Sequence, residues 1–355
     1  EGDRTMEAAP LETTTHPAQA MEVSSMKAII QDSYGSVAKD VLRFGEAPRP
    51  APGDDEVLVR VVAASVDRGT WHVMSGLPYP MRAAGFGMSK PKSLNPGRCL
   101  AGVVESFGKD VTGYKPGDEV YGTCSGTFAE YACVQAKKLA PKPANLTFAQ
   151  AATAPISGLT ALQAVRKADV QPGEKVLVIG ASGGVGSFAA QIAKASGAEV
   201  TGVGTASKVD MIRSLGVDHV VDYTREDFLD GQIRYDVIID TGGNSDLAAL
   251  RRALTPAGRL VIVGGETDGK WFGALTRTFK SILVGPFARQ KLQGLMSVEN
   301  SDDLIALKEM IESGSVTPAV DRTYPLSQTA AAIQYVQDGR ARGKVVIDVE
   351  GVLGH

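Results

Sequence analysis

Residues 180–186 read GASGGVG, the densest chemical signal in the chain. The run follows a short apolar segment, KVLVI (175–179), and opens into an alanine-rich stretch with helical spacing, SFAAQIAKA (187–195). Strand, turn and helix therefore stand in the order that lets a pyrophosphate approach. Gly183, Gly184 and Gly186 carry no side chain to block the backbone N–H groups, and the positive end of the helix follows directly. Ala181, Ser182 and Val185 complete this candidate dinucleotide turn. The pattern departs from a plain GxGxxG, and a structural glycine turn looks the same in isolation; the flanking strand and helix favour the cofactor.

The next strand candidate, EVTGV (199–203), ends in Gly204, Thr205, Ala206, Ser207 and Lys208. A carboxylate at that point would receive the adenosine ribose hydroxyl of NAD. No acid fills this turn, whereas Thr205 and Ser207 can donate hydrogen bonds and Lys208 can neutralise a 2′-phosphate, so the expected cofactor is NADPH. The competing use is Ser207 as a helix cap and Lys208 as a solvated charge. Tyr223 suits either the adenosine side or a core edge. Gly242, Gly243, Gly264 and Gly265 follow later strand candidates, where a missing side chain serves cofactor passage or a tight loop equally.

Elements that could position these residues are legible along the chain. KVLVIG (175–180), EVTGV, HVVDY (219–223), YDVIID (235–240), RLVIVGG (259–265) and SILVG (281–285) alternate with helical stretches and predict a doubly wound parallel sheet. A helix is expected over 149–168, another over 301–314, and a last helix and strand at LSQTAAAIQYVQDG and GKVVIDV. Before residue 150, short β-branched runs such as EVLVRVVAASV (56–66) and AGVVESFG (101–108) alternate with Pro/Gly turns, the texture of a mainly β domain. Residues 1–25 lack a period and read as a flexible extension.

The 355 residues are enough for two sizeable cores. Net charge is −3, which supplies no basic field for nucleic acid. The 40 glycines, about 11% of the chain against a usual share near 7%, show no collagen period. Three cysteines, Cys99, Cys124 and Cys133, cannot build a four-thiolate zinc cage and do not resemble a disulfide framework, which points to a reducing interior. No stretch approaches the roughly 20 apolar residues of a membrane span, and no secretory signal pattern opens the sequence, so a cytoplasmic location is expected.

Several blocks together resemble the medium-chain dehydrogenase/reductase superfamily, in particular its zinc-independent quinone-oxidoreductase-like branch: PGDDEVLVRVVAASVDRGTW, LAGVVESFGKDVTGYKPGDEVYG, GTFAEYACV, KVLVIGASGGVGSFAAQIAKASGAEV, YDVIIDTGG and DGRARGKVVI. The resemblance implies an α/β chain in which a GroES-like, mainly β catalytic domain (26–152 and 298–355) is interrupted by a Rossmann NADP-binding domain (153–297), with the active site between them. It also implies a homodimer along the last Rossmann strand, near SILVGPF.

Zinc-dependent relatives hold their catalytic metal partly through a GHE-like motif. Here that segment reads PGRCLAG, with Cys99 near the acidic position, and the structural-zinc cysteines are missing, so no metal is expected; His72 and Cys99 alone do not make a site. Without a metal, hydride transfer suits an electron-poor C=C bond, because conjugation carries the developing charge to a carbonyl oxygen. The resemblance therefore implies NADPH-dependent reduction of a quinone or an α,β-unsaturated carbonyl on a small hydrophobic or aromatic substrate. A zinc-free alcohol or aldehyde dehydrogenase, an enoyl-thioester reductase and a cofactor-binding scaffold with little turnover are the alternatives.

Substrate-side candidates depart from the branch. Asp67 stands where Asn is frequent and Thr70 where Asp is frequent; each serves the reaction or merely a turn and cap. Tyr34 and Tyr79 bound the substrate cleft or pack at a domain edge. Ser157 and Thr160 touch the nicotinamide half by family analogy, or cap a helix. Arg342 and Lys344 approach the cleft, or RARGK is a solvated turn. The loop PYPMRAAGFGMSKPKS (78–93) is suited to shape the substrate opening.

Overall fold

The computed structural model describes residues 24–243, 245–263 and 289–352. The chain opens with β1 (Ser25–Gln31), α1 (Ala38–Val41) and β2 (Leu42–Pro48), where β1 and β2 form an antiparallel pair. It continues through β3 (Glu56–Val66), α2 (Arg68–Ser75), β4 (Cys99–Phe107), β5 (Glu119–Thr123), β6 (Tyr131–Gln135) and β7 (Leu139–Pro141). Next come α3 (Phe148–Ala151), α4 (Pro155–Ala168), β8 (Lys175–Ile179), α5 (Gly184–Ala195), β9 (Glu199–Gly204), α6 (Val209–Ser214) and β10 (His219–Asp222). They are followed by β11 (Tyr235–Asp240), α7 (Leu247–Ala253), β12 (Leu254–Ile262) and β13 (Lys291–Gly294). The described chain closes with α8 (Ser301–Glu312), β14 (Val320–Pro325), α9 (Thr329–Gln337) and β15 (Lys344–Asp348).

The parallel sheet has the order β10-β9-β8-β11-β12-β13, so the winding reverses between β8 and β11. That reversal opens a crevice at the strand ends where an open α/β sheet takes its ligand. The runs KVLVI and YDVIID are apolar without alternation because both sheet faces are covered. Val176, Val178, Val237 and Ile239 enter one core with α4, α5 and α8, while Leu177, Ile179 and Ile238 enter another with Leu250 of α7. The sixth strand, β13, lies ten residues beyond the expected SILVG, which falls outside the described residues, as do Gly264, Gly265 and SILVGPF. The single helix expected over 149–168 is two helices: Thr147 caps α3 and Pro155 starts α4, because proline lacks the N–H that a continuous helix would need.

The second sheet is mainly antiparallel, ordered β14-β15-β3-β4-β5-β7, with β6 also on β3. β15 returns from the far end of the chain to pair antiparallel with β3, Val345 opposite Val66, and β4 pairs with β3 on the other side, Cys99 opposite Ser65. One end of β3 thus gathers Asp67, Cys99 and Lys344 from three distant stretches of sequence. The chain's return is also tied by Tyr121, which is fully buried and donates from Oη to Leu304 O of α8 at 2.6 Å.

Because that hydrogen bond is buried, Tyr121→Phe is expected to lower the unfolding free energy by about 1–2 kcal/mol while leaving the shape of the core intact. Denaturant melts check this; an unchanged midpoint would show that the tyrosine contributes through packing alone.

Candidate cofactor and substrate site

The glycine turn sits at the crevice. Gly180 has φ +80°, and a Cβ on Gly186 would lie 2.1 Å from Gly180 O, so the helix start passes the strand end at a distance only glycine permits. Gly183 N–H closes onto Gly180 O and Ser187 N–H onto Gly183 O, and no side chain caps α5. The first-turn amides of Gly184, Val185 and Gly186 are left for a ligand at the positive helix end. Ala181 and Ser182 are buried in the turn, and Ala181 N–H is fixed to Val203 O of β9.

Lys344 reaches this turn from the other sheet. It is 2% exposed, and its Nζ donates to Ser157 Oγ of α4 at 3.1 Å. A Cβ on Gly184 would stand 2.9 Å from Ser157 Oγ and 3.0 Å from Lys344 Cδ, so these two side chains pack directly onto Gly184 and leave no room for a side chain there. The solvated-turn reading of Lys344 is therefore overturned: pairing of β15 with β3 carries the residue inside. Thr160 is turned away, its Oγ1 donating to Ile156 O at 2.7 Å within α4.

Asp67 and Thr70 are partners. Asp67 caps α2 by accepting from Thr70 N–H at 3.0 Å, and Asp67 N–H donates back to Thr70 Oγ1 at 3.2 Å, a reciprocal capping box. The second Asp67 oxygen lies 3.8 Å from Cys99 Sγ. Burial, then the Asp67 charge, push the Cys99 thiol up to about 12 against a smaller opposing effect of Lys344, so Cys99 is a protonated donor rather than a nucleophile. His72 does not join it; its Nδ1 is 2.9 Å from Leu77 O. Among the described residues, no group of three or more His, Cys, Asp or Glu side chains could hold a metal ion.

A cavity of about 330 Å³ opens beside this cluster, bounded by Gln31, Val73 of α2, Phe86, Asn95 and Gly97–Arg98. The 78–93 loop supplies part of its wall through Phe86, Pro91, Lys92 and Ser93. Tyr34 and Tyr79 do not line the cavity; they support its wall. The Arg82 guanidinium stacks over both rings, at 4.3 and 4.9 Å, and Tyr34 Oη lies 2.7 and 2.8 Å from the carbonyls of Phe86 and Gly87.

At the end of β9, Thr205 Oγ1 and Ser207 Oγ are 3.3 Å apart, and Lys208 Nζ donates to Gly339 O at 3.0 Å. Ser207 makes no helix-capping bond. The neighbouring strand β10 brings Asp222 opposite Gly204; its carboxylate accepts from Thr224 N and Oγ1 at 3.1 and 2.7 Å. Those bonds, with an Ala206 N–H and Arg225 behind them, hold Asp222 below the ordinary aspartate value. Tyr223 is exposed beside this turn, and its N–H donates to Gly204 O. Gly242 and Gly243 close over Asp240, their N–H groups 3.1 and 3.0 Å from its Oδ1, and the Gly242 backbone passes close to Gly180.

Motif reading missed one charged cluster. Glu299, between β13 and α8, binds Arg98, Lys138 (3.0 Å) and Thr123 (3.1 Å) of the β domain. Val298 and Asp303, on either side of Glu299, bond to Gln163 of α4. The segment that returns from the parallel sheet is thereby fixed to both halves. Burial alone would raise the Glu299 carboxyl, but Arg98, Lys138 and Thr123 outweigh it and hold it below its ordinary value. A charge immediately before Cys99 inside an apolar run was the available signal for Arg98; Glu299 stands in no motif.

Two family models match the chain: an alcohol dehydrogenase GroES-like domain over residues 53–144 and a zinc-binding dehydrogenase domain over residues 215–347. A 2-methylene-furan-3-one reductase of Solanum lycopersicum is 33% identical, covering 91% of this chain and 79% of its own. The NADPH-dependent alkenal/one oxidoreductase of Arabidopsis thaliana is 32% identical, covering 93% and 81%. The chain belongs to the medium-chain dehydrogenase/reductase superfamily. A solved quinone oxidoreductase from Coxiella burnetii superposes with a TM-score of 0.79 at 28% identity, over 92% of this chain and all of that one. Family and fold together assign a GroES-like β-rich domain, an inserted Rossmann-like sheet and NAD(P)H-dependent oxidoreductase chemistry. The second family model is named for zinc, yet the ligand set that name refers to has no counterpart among the described residues.

Since the folded value of Glu299 lies below its ordinary 4.5, its contribution to stability is complete above that pH and is lost as pH falls through the folded value. Glu299→Gln should lower the melting temperature at neutral pH, with the gap to wild type narrowing in acid. A gap that does not change with pH would show that the charge itself contributes nothing.

Proposed function

We propose that the protein reduces a quinone or an α,β-unsaturated carbonyl at the expense of NADPH. The observation that carries this reading is the glycine turn at the start of α5, where no side chain caps the helix and the buried Lys344, bonded to Ser157 of α4, packs against Gly184. The uncapped amide N–H donors of the first turn, with an amine close by, fit a dinucleotide pyrophosphate. Bound there, the cofactor supplies hydride at its nicotinamide end.

The chain's own residues provide the rest. Ser157 and Lys344 orient the cofactor from opposite domains. The Asp67–Thr70 box rigidifies α2, and with it Val73 in the cavity wall, while the protonated Cys99 fills the space behind. Phe86 and Val73 present apolar surface to the acceptor, which excludes water from the reacting carbon. Negative charge then develops on the acceptor's oxygen, and solvent furnishes the proton. The two relatives whose names specify a conjugated carbonyl reductase activity support this acceptor class over a simple ketone.

The NADPH preference rests on Thr205, Ser207 and Lys208, with Tyr223 beside them. Asp222 works against it, but its carboxylate is engaged by Thr224 and accompanied by Arg225 at 3.6 Å. Homodimerisation belongs to the same proposal: β13 ends the parallel sheet among the described residues and leaves a strand edge there.

Purified protein is expected to oxidise NADPH in the presence of several quinones and enones, unaffected by a chelator. Binding of NADPH without turnover across such a panel would sink the enzymatic reading. Lys208→Ala is expected to weaken NADPH roughly tenfold and NADH little, in line with one lost charge-assisted contact; equal losses would remove Lys208 from phosphate recognition. Light scattering should report a dimer, and a monomer at micromolar concentration would overturn the edge-pairing proposal.

A further inference from the structure

The cavity beside the Asp67–Cys99 cluster has an uneven charge. Two of the residues that bound it, Lys92 and Arg98, are cationic and none is acidic. The remaining wall is apolar at Val73 and Phe86 and polar at Gln31, Ser93 and Ser125. Asn95 contributes no free polarity, since its side chain is spent on Ile29, Gly126, Phe128 and Gly97.

Arg98 is built in rather than dangling. Its Nη2 is held by Glu299 Oε1, and its side chain keeps only a quarter of its surface exposed. Arg98 lines the cavity, and among the described residues no hydrogen bond engages its Nε or Nη1, so part of a five-donor fork has no protein acceptor. Glu299 is shared with Lys138 at 3.0 Å, so this group holds two cations to one anion. A partly buried cation excess with a planar, fixed donor edge is the arrangement that recognises a carboxylate, whose two oxygens match the fork.

We propose that this cavity binds the carboxylate of an acidic acceptor, with Arg98 as the residue that takes it and Glu299 as the residue that positions Arg98. The substrate class is then an electron-poor C=C or quinone that carries a carboxylate, with Lys92 adding longer-range attraction at the exposed rim. This rests on the oxidoreductase reading above for the reaction, but the binding claim can be measured without turnover. Glu299 acts through Arg98, so its loss should change KM for an acidic substrate more than kcat, whereas a purely structural hinge would change acid and ester alike.

The test compares (E)-3-benzoylacrylate with its methyl ester as acceptors for NADPH. The acid-to-ester ratio of kcat/KM should be roughly tenfold or more higher in wild type than in Arg98→Met, the scale of a hydrogen-bonded charge pair. Arg98→Lys should keep part of it, and Glu299→Gln should lower it mainly through KM. The wild-type preference should also shrink with ionic strength. Equal ratios in wild type and a folded Arg98→Met would overturn the proposal.

Should the variants not fold, calorimetry on the wild-type protein with NADP+ decides the matter, using the non-reducible 3-benzoylpropionate and its methyl ester. Tighter, salt-sensitive binding of the acid supports the carboxylate site, and equal binding refutes it. Absence of any turnover together with a retained binding preference would remove the enzymatic reading alone.

Discussion

Burying an amine with three hydrogen-bond donors is costly unless those donors find partners, and the buried Lys344 donates to Ser157 Oγ at 3.1 Å. That constraint ties the two sheets together. β15 must pair with β3 in the register that sets Val345 opposite Val66, or Lys344 would miss Ser157; α4 must begin at Pro155, or Ser157 would not face Lys344. The same register puts Cys99 and Asp67 at the end of β3, so the candidate substrate wall and the candidate cofactor turn are fixed by one set of backbone pairings.

Around that centre, the structure divides binding from support. Glycines at 180, 184 and 186 make room; Asp67 and Thr70 lock a helix; Arg82 stacks between Tyr34 and Tyr79 to brace the loop that carries Phe86. Several residues whose types suggest chemistry thus work one layer behind it. A hydroxyl or carboxylate near a site is commonly spent on local backbone groups, and the Thr160 bond to Ile156 O is a direct instance.

Much of the fold was legible because it rests on local pattern. The runs 56–66 and 235–240 match β3 and β11 residue for residue, since β-branched apolar stretches bounded by turn residues have few other ways to bury themselves. The glycine turn was equally legible, because its strand, loop and helix are contiguous. Less was legible where proline interrupts a helical pattern at 155, or where the sheet continues at Lys291–Gly294, a run with little apolar content.

By itself the sequence determined the elements, their order, the dinucleotide turn and the family blocks that predict two domains. It also limited metal ligation, because three cysteines and four histidines leave few combinations. Only the tertiary structure decided which distant residues meet: Lys344 with Ser157 and Gly184, Cys99 with Asp67, and Glu299 with Arg98, Lys138 and Thr123. The physical reason is that type and spacing constrain neighbours within a turn or a strand. Pairings across 187 or 201 residues are set by sheet register and by the route of a chain that leaves one domain and returns to it.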